Sequence, residues 1–206
     1  MHEYYSIARE TETEIIIQKS RFISKVMPVS SETEAKEELE KLRLLHREAN
    51  HNVYAYRIGR VERFSDDGEP SGTAGRPVLE VMRKEELDNI LVVVTRYFGG
   101  ILLGAGGLVR AYTQSAKAGL DAAEKVKLVP YQELRVQMEY SWVNRVQYEA
   151  EIRGYLKGKT EYTEQVLTTY LLPVIEVESF TTHLTDISAG LLSLELGELL
   201  YQTKKI

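Results

Sequence analysis

Residues 90–112 read ILVVVTRYFGGILLGAGGLVRAY, and this stretch decides the fold of the first half of the chain. Ile90–Val94 is apolar at every position, which is typical of a strand buried on both faces of a sheet. Phe98–Gly107 holds five glycines, and glycine permits sharp turns and close backbone approaches. A long helix is predicted from there to about Lys125. The stretch therefore predicts a central strand, a glycine-rich turn and a helix in direct succession.

The residues before this unit predict further strands and helices. Ser31 and Glu34 have the S-x-x-E spacing in which a hydroxyl and a carboxylate satisfy free backbone donors at a helix start. A helix is predicted from there to about Ala49. Runs rich in aromatic and β-branched residues predict four strands, and a loop of Asp, Gly, Pro and Ser leads into a short helix. The strands are Glu14–Gln18, Arg21–Val29, Asn52–Ile58 and Val61–Ser65, and the helix is Ala74–Arg83.

The residues after Pro130 predict a second domain. Strand, helix, strand, strand, helix and strand follow one another, which is the order of the ferredoxin-like fold. The predicted elements are Glu133–Tyr140, Trp142–Gly154, Lys159–Tyr162, Gln165–Leu172, Glu176–Ala189 and Leu192–Tyr201. The sequence therefore predicts an α+β protein of two domains, residues 1–129 and residues 130–206.

The composition excludes several classes of protein and site. The chain has 206 residues, a net charge of −5, no cysteine and four histidines. The lack of cysteine removes disulfides, thiol nucleophiles, iron–sulfur clusters and cysteine-based zinc sites. The longest apolar run, Ile90–Val94, is far shorter than the roughly 20 residues that cross a bilayer. We expect a soluble, cytoplasmic protein with no bound metal, cofactor or membrane, and the sequence leaves its oligomeric state unknown.

Glycines and arginines together predict an anion-binding cleft. Two loops, Ser65–Gly72 and Phe98–Gly107, each run into a helix, whose N-terminus offers unpaired N–H groups and a positive dipole. Arginine forms forked contacts to phosphate, and four arginines lie in or beside these loops. They are Arg57, Arg76, Arg96 and Arg110. The alternative is structural, with glycines that shape turns and arginines that pair with the acidic residues of the first loop.

The common enzyme motifs are missing from the sequence. G-x-x-x-x-G-K-[ST] and G-x-S-x-G are absent, and Gly104–Gly107 lacks the spacing of a dinucleotide fingerprint. Asp66, Asp67 and Glu69 could hold Mg²⁺ through their oxygens, although carboxylates beside glycine and proline are more often turn residues. No catalytic residue is predicted, so a binding protein is favoured over an enzyme.

Four motifs strongly resemble the IMPACT family in its bacterial branch. They are HNVYAYRIG from His51, FSDDGEPSGTAGRP from Phe64, VVVTRYFGG from Val92 and LGAGGLVRAY from Leu103. The resemblance covers residues 20–129, and the remainder resembles the small C-terminal domain that accompanies it in bacteria. It implies an N-terminal α/β sandwich similar to the second domain of a small-subunit ribosomal protein. It also implies a ferredoxin-like C-terminal domain similar to one of elongation factor G.

The resemblance further implies a function linked to translation, because eukaryotic relatives regulate translation through a ribosome-associated protein. It establishes no catalytic residue. The motif surface that it implies comprises Asp66, Asp67, Gly68, Glu69, Pro70, Ser71, Gly72 and Thr73 in the first loop, and Arg76, Arg96, Tyr97, Gly99, Gly100, Gly104, Gly106, Gly107 and Arg110 beyond it. With Arg57, these residues form the candidate site.

Three hypotheses about function remain open at this point. The first is a regulatory protein that contacts RNA or the ribosome through the Arg/Gly cleft. The second is an enzyme that acts on a small phosphorylated ligand with Mg²⁺. The third is a module that binds only a protein, such as one associated with the ribosome. The net charge of −5 weakens the first hypothesis, because affinity for nucleic acid depends largely on phosphate neutralisation.

Overall fold

A computed structural model describes residues 2–205, apart from the side chain of Lys205, and shows two compact units. Of the described residues, 4–127 together with 205 form one unit, and 128–204 together with 2 and 3 form the other. Each unit combines helices with a β-sheet around its own hydrophobic core. The predicted α+β fold with two domains is therefore confirmed, whereas a boundary between residues 129 and 130 stays a prediction.

The first unit is built on a five-stranded antiparallel sheet. In chain order, after a short strand β1 (Tyr4–Ile7), its strands are β2 (Thr11–Ile17), β3 (Ser20–Pro28), β4 (His51–Ile58), β5 (Val61–Ser65) and β6 (Ile90–Tyr97). The sheet order is β2-β3-β6-β4-β5, and neighbouring strands are antiparallel. The strand β6 therefore lies in the centre, as its apolar sequence predicted.

Helices cover both faces of this sheet. They are α1 (Glu32–Leu45), α2 (Gly75–Lys84) and α3 (Gly104–Ala122). Leu91 and Val93 of β6 pack in the cluster that includes α1, whereas Val92 and Val94 pack in the cluster that includes α2 and α3. Because side chains alternate along a strand, successive residues at the end of β6 point to opposite faces.

The first helix starts as predicted and ends early. The hydroxyl of Ser31 accepts the N–H of Glu34 at 3.2 Å, and the carboxylate of Glu34 accepts the N–H of Ser30 at 2.7 Å. The helix ends at Leu45, which is 71% exposed, whereas the sequence predicted a helix to about Ala49. The chain turns here so that β4 can begin at His51 beside the central strand.

The strand that follows α3 passes through the predicted domain junction. It is β7 (Lys125–Met138), it contains Pro130, and it pairs with β1. Its first residues belong to the first unit and the others to the second. The strand therefore continues through Pro130, since proline is tolerated in some strand positions.

The second unit has the ferredoxin-like order. After β7 come α4 (Val143–Glu151), β8 (Leu156–Tyr162), β9 (Val166–Pro173), α5 (Val177–Ser188) and β10 (Ser193–Lys205). Within this unit, β7 pairs with β10 and with β9, and β9 pairs with β8. The core holds Leu134 and Val136 of β7 against Phe180 and Leu184 of α5. The predicted βαββαβ arrangement is confirmed.

Candidate functional site

The N-terminus of α2 is capped by a distant carboxylate. One oxygen of Asp66 accepts the backbone N–H groups of Ala74 at 3.1 Å and Gly75 at 2.8 Å, and the other accepts the N–H of Gly72 at 2.8 Å. A carboxylate here satisfies free donors and interacts favourably with the positive end of the helix dipole. The first of the two predicted loop–helix junctions is thus already occupied by an anion of the protein itself.

The next residue, Asp67, fastens the motif loop to β4. One carboxylate oxygen accepts the N–H of Asn52 at 2.6 Å, and the other lies 3.4 Å from a guanidinium nitrogen of Arg43. The carbonyl oxygen of Asp67 accepts a hydrogen bond from Nδ1 of His51 at 2.8 Å. Because a carbonyl oxygen only accepts, Nδ1 of His51 carries a proton.

The rest of the motif loop closes on itself. The N–H and the hydroxyl of Thr73 donate to the carbonyl oxygen of Pro70 at 3.1 and 2.6 Å. Gly68 and Gly72 have φ values of +87° and +76°, in the left-handed region that favours glycine. Ser71 is exposed. Most contacts of this loop therefore match the structural alternative to an anion-binding cleft, in which the glycines shape turns and the acidic residues bind within the protein.

The glycines of the second loop serve two purposes. A Cβ on Gly99 would lie 2.0 Å from the carbonyl carbon of Lys19, so the loop can approach the β2–β3 turn only because this residue is glycine. The N–H of Gly99 also donates to the hydroxyl of Ser20 at 3.2 Å. Gly100 has φ +84°, which a larger residue would adopt only with strain. These two glycines shape the turn.

The other glycines of this segment lie in α3, not in a turn as predicted. The helix begins at Gly104, which places Gly106 and Gly107 in its first turn. The sequence misled here because glycine is unfavourable inside a helix. A Cβ on Gly106 would lie 3.6 Å from a guanidinium nitrogen of Arg110, so that guanidinium folds back over the first turn.

The N-terminus of α3 has no side-chain cap. Leu103 precedes the helix and donates or accepts no side-chain hydrogen bond, and the first turn holds no acidic residue. The first N–H groups of a helix have no partner inside it, and together with the dipole they form a ready anion site. Of the two predicted junctions, the one at α3 is therefore the open one.

A buried charged network lies beside this helix end. A terminal nitrogen of Arg96 donates to Oε1 of Glu69 at 2.6 Å, and the hydroxyl of Tyr112 donates to the same oxygen at 2.8 Å. The side chains of Arg96 and Glu69 are only 6% and 3% exposed. Burial, followed by the nearby Glu69 carboxylate, raises the pKa of Tyr112, so its hydroxyl stays protonated and keeps donating.

The guanidinium of Arg96 lies between two aromatic rings. Its central carbon is 5.4 Å from the ring centroid of Phe22 and 5.5 Å from that of Phe98, within the range of cation–π contacts. Its Nε is buried and has no hydrogen-bond partner within residues 2–205. A buried donor without a partner costs free energy. This nitrogen is closed to solvent, so an acceptor from a ligand would satisfy it only after a local rearrangement.

These groups meet in one cavity of about 420 Å³, a volume within the usual range for small ligands. Its deep end holds the buried pair Arg96 and Glu69, and its opening holds Phe98 and Leu102, which are 43% and 86% exposed. The remaining lining residues are Asn50, His51, Pro70, Leu103, Gly104, Ala105 and Leu108.

Arg57 lies elsewhere in the fold, although the sequence grouped it with the cleft. It pairs with Ile90 at the start of β6, whereas His51 at the other end of β4 pairs with Arg96. Its guanidinium donates to the carbonyl oxygen of Leu87 at 2.8 Å. Arg57 therefore fastens the segment after α2, because the antiparallel register places it at the far end of the sheet.

Tyr97 and Arg76 also differ from the predicted grouping. Tyr97 points to the α1 face, where its hydroxyl and Nδ1 of His46 form a hydrogen bond at 2.9 Å and Arg21 lies over its ring at 5.3 Å. It cannot face the cavity that Arg96 faces, since the two are successive residues of one strand. Arg76 is exposed in the first turn of α2, next to the N-terminus that Asp66 occupies.

Several residues of the cavity were not singled out by their chemistry in the sequence. Phe98 follows Arg96 by two positions, the period that returns a strand to the same face. Its N–H donates to the side-chain oxygen of Asn50 at 2.8 Å, which fixes the loop. His51 lies opposite Arg96 in the β4–β6 register, and its Nε2 is 3.8 Å from Oε1 of Glu69. Only the register identifies this pair.

The described part of the chain offers neither a metal cluster nor a membrane-spanning helix. Within residues 2–205, no group of three or more His, Asp or Glu side chains is arranged to hold a metal ion. The three candidate Mg²⁺ ligands, Asp66, Asp67 and Glu69, instead contact backbone donors, Arg43, Arg96 and Tyr112. No helix in the same range is long and apolar enough to cross a membrane.

The fold and the site define a two-domain α+β protein with an open cavity in its first domain, at the N-terminus of α3. The model of the Impact N-terminal domain matches residues 18–120, and that of a domain of unknown function, DUF1949, matches residues 136–191. The chain belongs to the IMPACT family.

Relatives of known sequence and structure match nearly the whole chain. IMPACT family member YvyE of Bacillus subtilis is 38% identical over 209 residues, covering 100% of this chain and 96% of that protein. IMPACT family member YigZ of Escherichia coli is 36% identical over 186 residues, 86% of this chain and 90% of that one. A crystal structure described as that of a hypothetical protein matches with a TM-score of 0.66 at 33% identity, over 96% of this chain and 98% of the other.

Proposed function

We propose that this protein is a cytoplasmic, translation-linked regulator that binds RNA on the ribosome through the cavity of its first domain. Membership of the IMPACT family, whose eukaryotic members regulate translation, supports the link to translation. The observation that carries the RNA contact is the uncapped N-terminus of α3 beside the unpartnered Nε of Arg96. Both are donors for an anion, and phosphate is the anion that RNA presents.

Arg110 adds a mobile charge to this pair of fixed donors. Its guanidinium lies over the first turn of α3, it is exposed, and it forms no ion pair within residues 2–205. An arginine in this position can form charge-assisted hydrogen bonds to a phosphate that also contacts the helix N–H groups. The phosphate would thus be held from two directions.

The second domain offers a less suitable surface for RNA. On the sheet face opposite its core, the residues that line the cavity formed by Arg135, Lys159 and their neighbours include no aromatic ring, and base recognition on a sheet depends on such rings. Its basic residues are already paired, Arg135 with Glu133 at 3.2 Å and Lys159 with Glu161 at 2.6 Å. Residues 130–206 also carry 7 basic and 11 acidic side chains. The proposal therefore assigns the RNA contact to the first domain.

The experiment compares two exposed arginines by filter binding to ribosomes and to single-stranded RNA over a salt series. Arg110→Ala should weaken binding and lower the slope of log affinity against log salt by about 0.7, the value for one phosphate contact on a single strand. Arg76→Ala is the matched control, because Arg76 lies in the first turn of a helix whose N-terminus Asp66 already occupies. It should change both quantities much less.

Three outcomes would contradict the proposal. Wild-type protein that binds neither ribosomes nor RNA at low salt would remove it. Ribosome binding that persists after the RNA is digested would indicate a ribosomal or ribosome-associated protein as the partner. Equal losses for Arg76→Ala and Arg110→Ala would place the contact away from the N-terminus of α3.

A further inference from the structure

We infer that the cavity holds a single unstacked nucleotide of the RNA, with its phosphate at the N-terminus of α3 and its base against Phe98. This inference rests on the proposed function and names the form of RNA that the site takes, which is single-stranded. It follows from the charge, the walls and the size of the cavity.

The positive charge of the cavity is too small to bind a phosphate ion tightly without further contacts to the rest of the ligand. Arg96 is the cation at the deep end, but Glu69 neutralises it across a hydrogen bond of 2.6 Å with both side chains buried. What remains for an anion is the dipole of α3, its free N–H groups, the unpartnered Nε of Arg96 and the exposed Arg110. These donors position a phosphate, yet a strongly positive pocket is missing, so a free phosphate ion should bind weakly.

The walls supply the rest of the interaction. Phe98, Leu102, Leu103 and Leu108 line the cavity together with Pro70. Phe98 is the phenyl ring among the lining residues, beside the imidazole of His51, and it is 43% exposed even though Arg96 already contacts it. Stacking of a base on an aromatic ring is sequence-tolerant and is the usual way in which proteins hold single-stranded nucleic acid. An aromatic wall beside an anion site is the combination that a nucleotide requires.

The dimensions match one nucleotide rather than a duplex. The ring centroid of Phe98 and the guanidinium carbon of Arg96 are 5.5 Å apart, and Phe98 lines the same cavity as Gly104 and Ala105 at the start of α3. The stacking wall and the phosphate donors therefore border one cavity. The cavity volume of about 420 Å³ accommodates a ligand of that size. A base inside a duplex is covered by its neighbours and could not enter. Single-stranded loops and ends, whose bases are unstacked, are the available targets.

The test measures three probes on the full-length protein by titration calorimetry: inorganic phosphate, a nucleoside and the matching nucleoside monophosphate. The monophosphate should bind more tightly than either part, and it should displace a labelled single-stranded oligoribonucleotide. Phe98→Ala should weaken binding of the monophosphate and of the oligonucleotide by about tenfold to a hundredfold, the range for loss of one stacked base. Phe64→Ala is the matched control, since Phe64 is a similarly exposed phenylalanine of the same domain, at 45%, on the edge strand β5.

A second variant makes the result independent of Phe98. Leu102 is 86% exposed at the cavity opening, so Leu102→Asp should fold and should repel a phosphate there. It is expected to reduce binding of the monophosphate, whereas Leu102→Asn should have a smaller effect. Thermal unfolding of each variant confirms that the fold is retained.

The outcomes separate this inference from the proposed function. Single-stranded RNA that binds Phe98→Ala and Leu102→Asp as tightly as wild type, with no competition from the monophosphate, would overturn the nucleotide pocket and leave RNA binding intact. Equal affinity for duplex and single strand would overturn it as well. Displacement of the monophosphate by an acidic peptide but not by RNA would contradict the RNA assignment. A protein that binds no RNA of either form would remove the proposed function itself.

Discussion

The N-termini of α2 and α3 follow glycine-rich loops of similar sequence character, yet only one is open. At α2 the carboxylate of Asp66 accepts three backbone N–H groups, whereas among residues 2–205 no side chain caps α3. The difference does not come from the glycines or from the arginines nearby, which both ends possess. It depends on whether the chain brings an acidic side chain back to the helix start. A glycine-rich loop before a helix therefore indicates an anion site only where the protein leaves that place free.

The largest loss of stability is expected at the buried pair of Arg96 and Glu69, which lies beside the open N-terminus of α3. Arg96→Ala leaves Glu69 buried without its cation and should lower the free energy of unfolding by about 3–5 kcal/mol, the usual range for a broken buried pair. Denaturant titration of the full-length protein measures this. Arg110→Ala, which removes an exposed and unpaired arginine from the same helix end, should change stability by less than about 0.5 kcal/mol. A small loss for Arg96→Ala would mean that the pair is not needed by the fold.

A carboxylate placed before α3 should cap its N-terminus, as Asp66 caps that of α2. Leu103→Asp places a carboxylate directly before α3, where it can accept the free N–H groups, and this should reduce affinity for RNA by about tenfold to a hundredfold. Leu103→Asn caps the helix without a charge and should reduce affinity less. Both variants lose the partial packing of Leu103 against the core, so comparison of the two isolates the effect of charge. Unchanged RNA affinity in Leu103→Asp would show that the anion does not occupy this helix end.

The reverse change removes the carboxylate cap from the N-terminus of α2. Asp66→Ala removes the acceptor of three N–H groups and should lower stability by about 1–2 kcal/mol, the scale of a lost helix cap. Asp66→Asn retains one acceptor oxygen and should cost less. A gain in the affinity of Asp66→Ala for inorganic phosphate would show that the N-terminus of α2 accepts an anion once its cap is removed. No change in thermal stability would contradict the capping role.

The smallest effect on stability is expected at the N-terminus of α1, where the carboxylate of Glu34 accepts the N–H of Ser30. The N–H of Ser30, and then its hydroxyl, hold the pKa of Glu34 below its ordinary value. A lowered folded-state pKa means that the stabilisation is present above the unfolded value of about 4.3 and is lost as the pH falls through the folded value. Glu34 is half exposed, so we expect only about 0.3–0.5 kcal/mol.

Denaturant titrations between pH 7 and pH 3 measure this difference, with Glu34→Gln as the comparison variant. The two proteins should differ most at pH 7 and converge in acid. A gap that widens as the pH falls would contradict the assignment.

The parts of the fold that follow from side-chain pattern could be predicted from the sequence. The unbroken apolar run of β6 identified the central strand, and the S-x-x-E spacing identified the start of α1. The βαββαβ order identified the second domain. These features are local, since each depends on neighbours in the chain. The continuation of β7 through Pro130 is not local, because it depends on the pairing of that strand with β1 and β9.

The candidate site was only partly predictable for the same reason. Arg96 and the helix after it are close in sequence, so their proximity could be inferred. Arg57 was placed with them because it lies in a neighbouring motif, but the antiparallel register moves it to the opposite end of β4. The sequence suggested that Asp66 binds a metal ion or an arginine, whereas its carboxylate oxygens accept backbone N–H groups up to nine residues away. Register and long-range capping are properties of the folded chain.

The contact between Gly99 and the β2–β3 turn constrains how this protein can change. The backbone of Lys19 and Ser20 leaves no room for a side chain at Gly99, and Gly99 belongs to the loop that positions Phe98 at the cavity opening. Hairpin turns usually tolerate insertions and deletions well. This one does not have that freedom, since an added residue would displace the loop on the other side of the contact. The length of a turn outside the cavity therefore constrains the shape of the candidate site.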